Sequence, residues 1–139
     1  MRIIFDANVY IAALAKQGMV HGLLQTVLNK KSGFLLFILP DLIYEFQRKV
    51  GNLEKNKIVR PEDVAWLFST LDKTATLVNP TEKVSIVKAD PDDNKVLECA
   101  IAADANIIIT MDKDLLRLKT YRNIPIVHPN TFKYIIPRK

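Results

Sequence analysis

From Ala89 the chain reads ADPDDNKVLECAIAADANIIITMDKDLL, and this stretch restricts the fold more than any other. It opens on acids, passes through a helical pattern, becomes an unbroken apolar run and ends on Asp112 and Asp114. Asp90 is a favourable N-cap, Pro91 suits the first helical position because its missing N–H has no partner there, and Asp93 falls at the third position, where an acid can satisfy orphan amides. Val96, Leu97, Ala100, Ile101 and Ala103 then recur as one apolar face. Asn106 suits a turn, and Ile107 to Ile109 form a β-branched run too apolar for a half-exposed strand, closed by Thr110. Asp112 therefore falls just past the carboxyl end of a buried strand, where open parallel sheets bind ligands.

The remaining segments repeat this alternation. Arg2 to Phe5 reads as a strand ended by Asp6, and Asn8 to Ala15 as a short helix apolar nearly all round. A break is expected at Gln17-Gly18. Val20, Leu23, Leu24, Val27 and Leu28 follow at helical spacing, with Lys30 and Lys31 in the last turn. Phe34 to Leu39 is a continuous apolar strand before Pro40, and the next helix presents Leu42, Ile43, Phe46 and Val50 and is expected to end at Gly51. Pro61 opens a helix with Val64, Leu67, Phe68 and Leu71 on one stripe; Trp66 falls off it, either packing under a loop or marking a subunit contact. Thr76 to Val78 and Ile124 to Val127 read as strands, Tyr121-Arg122-Asn123 as a turn, and Asn130 as the cap of a closing helix through Ile135. The predicted fold is α/β, a three-layer α/β/α sandwich with a mainly parallel central sheet of about five strands in one domain, residues 1–139.

Composition narrows the partners. With 20 basic against 15 acidic residues the formal charge is +5, and gathering several acids in one pocket leaves the outer surface more basic still, which favours a polyanion. The single cysteine, Cys99, cannot form an internal disulfide and reads as a small buried hydrophobe. Arg2 to Phe5 runs straight into a strand without a leader pattern, and no apolar run approaches membrane length, so a cytoplasmic protein is expected.

Four motifs span nearly the whole chain: Ile3-Ile4-Phe5-Asp6-Ala7-Asn8-Val9, Leu39-Pro40 followed by Glu45, Asp90-Pro91-Asp92-Asp93-Asn94, and Thr110-Met111-Asp112-Lys113-Asp114-Leu115-Leu116. Together they resemble the PIN-domain nucleases, and within them the toxins of toxin–antitoxin pairs. Met111 departs from the pattern, since relatives often carry glycine there. The resemblance implies a PIN-like, Rossmann-like sheet whose first and fourth strands are central neighbours, so that Asp6 and Asp112 face each other. It implies a catalytic set of Asp6, Glu45, Asp93 and Asp112, with Asp114 as a further metal ligand beside Asp6, Asp93 and Asp112, and Asn8 and Thr110 in support. It also implies a toxin held inactive by an antitoxin, often as a homodimer.

Each acid has a plainer explanation by itself. Asp6, Asp93 and Asp112 can cap helices, and Glu45 can pair with Lys49 one turn on. Converging on one sheet edge, they need a counter-charge: two carboxylates 4 Å apart repel by roughly 4 kcal/mol at an effective dielectric of 20. Oxygen ligands suit Mg²⁺ or Mn²⁺, and one cysteine with two histidines argues against zinc. The predicted function is metal-dependent hydrolysis of RNA, with Lys95, Lys113 and Arg117 as candidate phosphate contacts. Two other readings stay open: a non-catalytic RNA-binding or interaction module, and a Mg²⁺ phosphatase or phosphoacceptor domain with its aspartate after the first strand. His128, at the end of the last strand, reads as a hydrogen-bonded structural imidazole or a phosphate contact.

Overall fold

The first strand has no water-facing side: Ile3, Ile4 and Phe5 are all buried, so it must lie inside a sheet covered on both faces. The computed structural model describes residues 1–16, 18–88 and 90–135. In chain order the elements are β1 (Arg2–Phe5), α1 (Ala7–Ala15), α2 (Met19–Leu28), a 3-10 turn (Lys30–Ser32), β2 (Leu35–Ile38), α3 (Pro40–Lys55), α4 (Pro61–Thr74) and β3 (Ala75–Leu77). There follow α5 (Pro91–Ala103), β4 (Ile107–Ile109), α6 (Lys113–Leu118), β5 (Thr120–Tyr121), β6 (Ile124–Val127) and α7 (Pro129–Phe132).

The strands form one sheet in the order β3-β2-β1-β4-β6-β5. Ile4 lies opposite Phe37 on one side and Ile108 on the other, and every pairing is parallel except that of β5 with β6. The first and fourth strands are thus central neighbours, as the resemblance implied. From β1 the chain builds outward through β2 and β3, then returns to start again at β4, which makes the β1/β4 boundary a switch point with an open crevice at its carboxyl end.

Helices complete an α/β/α sandwich. α1 contacts α2 and α3, while α5 packs on β1 and β2. A run of edge-to-face ring pairs, Phe132 with Phe5, Phe5 with Tyr10, Tyr10 with Phe46 and Phe46 with Phe68, ties α7, β1, α1, α3 and α4 together. Such pairs add specificity to simple burial. Cys99 is fully buried on α5, as its apolar neighbours predict. Trp66 is 38% exposed and lies beside His21 of α2. Among the described residues no helix is long and apolar enough to cross a membrane.

Several boundaries differ from the sequence-based expectation, each for a local reason. α3 continues past Gly51 to Lys55, because Leu53 packs against the core and an exposed glycine costs a helix only about 1 kcal/mol. Lys30 and Lys31 lie beyond α2, in a turn capped by Asn29, whose Oδ1 accepts from the Lys31 amide. The break expected at Gln17-Gly18 rests partly on residue 17, outside the described residues; Gly18 is the N-cap of α2. β3 begins one residue earlier than expected. A sixth strand, β5, appears because Arg122 and Asn123 both take left-handed conformations, φ 48° and 67°, and so form the two-residue loop that matches hairpin twist. Helix α7 is shorter than expected and is capped by His128, whose Nδ1 accepts from the Asn130 amide at 3.0 Å, and not by Asn130 itself.

Candidate metal centre

The crevice at the carboxyl ends of β1 and β4 collects the acids. Asp6 follows β1 directly, and its amide continues the ladder by donating to the Ile109 carbonyl at 3.0 Å. Its carboxylate leaves the first turn of α1 without a side-chain cap and instead accepts from the Thr110 hydroxyl at 2.9 Å. Thr110 is fully buried, and the same hydroxyl oxygen accepts from the Asp112 amide at 3.0 Å. One hydroxyl therefore sets the spacing between the ends of the two central strands.

Asp112 does cap α6: its Oδ1 accepts from the amides of Asp114 and Leu115. Capping holds the carboxylate over the crevice rather than competing with a role there. Asp93 behaves differently from the expectation. The first-turn amide of α5, that of Asp92, is taken by Asp90, and Asp93 Oδ2 is buried with no hydrogen-bond partner. Buried oxygens without partners are rare because desolvation goes uncompensated.

Asp93, Asp112 and Asp114 each place a carboxylate oxygen within 4.8 Å of the others. Burial pushes the Asp93 carboxyl up to about 7, and the negative charges of Asp112, Asp90 and Asp6 push it the same way. Burial also raises Asp6; the Thr110 hydrogen bond and the Asn8 amide pull it back, Asp112 pushes it up, and the Lys49 ammonium pulls it down. An orphaned buried oxygen among three convergent hard donors, with acids that hold protons too tightly, fits a divalent cation.

The other predicted residues lie around this group. Asp6 sits next to it, linked to Asp112 through Thr110. Glu45 pairs with Lys49 at 2.9 Å, the contact that helix spacing favours, and the Lys49 charge pulls the Asp6 carboxyl down. Among the candidate phosphate contacts, Lys95 pairs with Asp92 and Asp41, Arg117 donates to Asp114 at 3.1 Å, and Lys113 is exposed. Met111 is 38% exposed beside Asp112.

Sequence reasoning missed two positioning residues. Asn94 is buried, its Oδ1 accepting from the Val87 amide at 2.9 Å and its Nδ2 donating to the Val87 carbonyl at 2.8 Å, so it clamps the incoming segment to α5 beside Asp93. An asparagine in an acidic helix start carries no cue for a partner seven residues back. Helix spacing shows Lys49 only as the partner of Glu45, and its influence on Asp6 depends on how α3 packs on α1.

The family model described as PIN domain matches residues 2–114, a span that contains every acid considered above. No curated protein matches the chain.

Proposed function

Because the chain belongs to the PIN-domain family, whose members are typically metal-dependent nucleases, we propose that it is an endoribonuclease using Mg²⁺ or Mn²⁺ to hydrolyse phosphodiester bonds in RNA. The observation that carries this reading is the convergence of Asp93, Asp112 and Asp114 around the unpartnered Asp93 oxygen. These three residues hold the ion, and Asp6 and Glu45 complete the acidic wall. A divalent ion there supplies Lewis acidity toward the phosphodiester and offsets charge on the leaving oxygen.

The chain's own residues do the rest. Thr110 fixes Asp6 and Asp112 relative to each other, and Asn94 holds the start of α5 so that Asp93 stays aimed inward. Asp93, with its carboxyl near 7, can take up or release a proton at working pH in the ion-free protein. Lys49, paired with Glu45, also pulls the Asp6 carboxyl down against the burial that raises it. Lys95, Lys113 and Arg117 line the approach as phosphate contacts.

The motif likeness to toxins supports a finer reading: a cytoplasmic toxin, active as a homodimer and held inactive by a cognate antitoxin. The enzymatic part is tested by comparing wild type with Asp6→Asn on labelled single-stranded RNA, with Mn²⁺ and with EDTA. Cleavage is expected only for wild type with Mn²⁺; cleavage that survives the substitution or the chelator overturns the assignment. A covalent aspartyl phosphate trapped at Asp6 would instead favour the phosphoacceptor reading.

A further inference from the structure

Helix α3 buries Leu42, Phe46 and Val50, and on another face it carries Tyr44 and Arg48, one turn apart and therefore side by side. The Tyr44 ring is 70% exposed, far from the usual lot of an aromatic in a folded chain, and it contributes little to the core. Arg48 is exposed and, among the described residues, has no ion pair. Folding explains neither side chain.

Both line an open groove of about 370 Å³ whose other walls are Asp41, Glu45, Asp92 and Lys95. The groove runs between α3, which supplies Asp41, Tyr44, Glu45 and Arg48, and the start of α5, which supplies Asp92 and Lys95 and also carries Asp93. Within it the Lys95 ammonium is already shared by Asp41 and Asp92. Arg48 is the cation of this groove that has no ion pair among the described residues, and Tyr44 is the flat apolar surface next to it.

An arginine fork that can hold a phosphate at two points, beside an aromatic face, is the pairing by which proteins grip unpaired nucleotides. Bases in a duplex are stacked on their neighbours and offer no free face. We propose that Tyr44 and Arg48 form a nucleotide subsite beside the acid centre, Tyr44 stacking one unpaired base and Arg48 holding the adjoining phosphate, so that single strands are chosen over duplex. This rests on the ribonuclease reading above and adds to it the residues that grip the strand. The groove shares Asp41 and Lys95 with a neighbouring cleft of about 470 Å³, which gives a strand room to continue.

The test measures binding of a short fluorescein-labelled single-stranded RNA, and of the blunt duplex formed with its complement, by anisotropy in EDTA over a range of salt. Tyr44→Ala is expected to weaken single-strand binding roughly tenfold, the scale of one lost base stack, with Tyr44→Phe close to wild type and duplex binding unchanged. Arg48→Ala is expected to flatten the salt dependence by about 0.7 in log–log slope, one phosphate contact on a single strand. Both positions are exposed, so unaltered melting temperatures will accompany these effects. Unchanged single-strand affinity in Tyr44→Ala, equal losses on duplex, or Tyr44→Phe as weak as Tyr44→Ala overturns the subsite. Cleavage with Mn²⁺, run in parallel on wild type, separates the two readings. A wild type that cuts while Tyr44→Ala binds normally overturns the subsite alone; a wild type that neither binds nor cuts overturns both.

Discussion

Thr110 shows how much of the site depends on one atom. Its hydroxyl donates to Asp6 Oδ2 and accepts from the Asp112 amide, so Thr110→Val removes both contacts while keeping nearly the same shape. We expect ion affinity or cleavage to fall about 10- to 100-fold, as when other supports of metal ligands are lost, with about 1–3 kcal/mol of destabilisation from the stranded carboxylate. Calorimetric Mn²⁺ titration and thermal melts check this. The pH dependence follows from Asp93 and Asp6, whose folded-state pKa values are both raised. An acid with a raised folded pKa binds its proton more tightly folded than unfolded, so stability is fullest below the unfolded value near 4 and declines as pH rises toward about 7. In EDTA the melting temperature should therefore fall between about pH 4 and pH 7, and Asp93→Asn should flatten that fall. A wild-type profile that rises across the same window would contradict the raised values.

The elements around these residues were legible in unequal measure. Prolines and acids announced the starts of α3, α4 and α5, and the all-isoleucine run of β4 could be nothing but a central strand. Hairpin β5-β6 was hidden because Arg122-Asn123 lacks the glycine that usually marks its turn, and the length of α3 was hidden because Gly51 looked like a stop. The inward turn of Asp93 is hidden because a third-position acid ordinarily reaches back to the N-cap amide, whereas here Asp90 caps the Asp92 amide and Asp93 Oδ2 is buried without a partner, a choice that only packing decides. At this scale Asn94 is the sharpest test. Asn94→Ala leaves the buried Val87 amide and carbonyl without partners, for which we expect a loss of about 2–4 kcal/mol. Hydrogen exchange should report opening of residues 84–88 and of the first turn of α5 before the rest of the sheet. Protection lost uniformly would show that Asn94 does not act as a local clamp.

For the whole molecule, the sheet order is what assembles the centre. Asp6 and Thr110 are 104 residues apart in sequence and meet only because β4 is inserted against β1, a pairing that no local pattern in either strand encodes. The family likeness supplied it, and the parallel registers bear it out. Since the three-carboxylate group is part of the folded chain and absent from the unfolded one, cation binding should stabilise the fold. At an Mn²⁺ concentration a hundred times its Kd the gain is about 2.7 kcal/mol, roughly 8 °C in Tm for a chain of this size, and Asp112→Asn should abolish the rise. An equal rise in that variant would place the ion elsewhere.

The buried Cys99 has a practical corollary. With burial pushing its thiol up to about 12 and no other cysteine in the chain, the native protein should ignore maleimide reagents and take up one equivalent only in denaturant. A cysteine introduced at an exposed position would then be the sole handle for a dye or spin label, and conformational measurements would need no background-free variant to be made first.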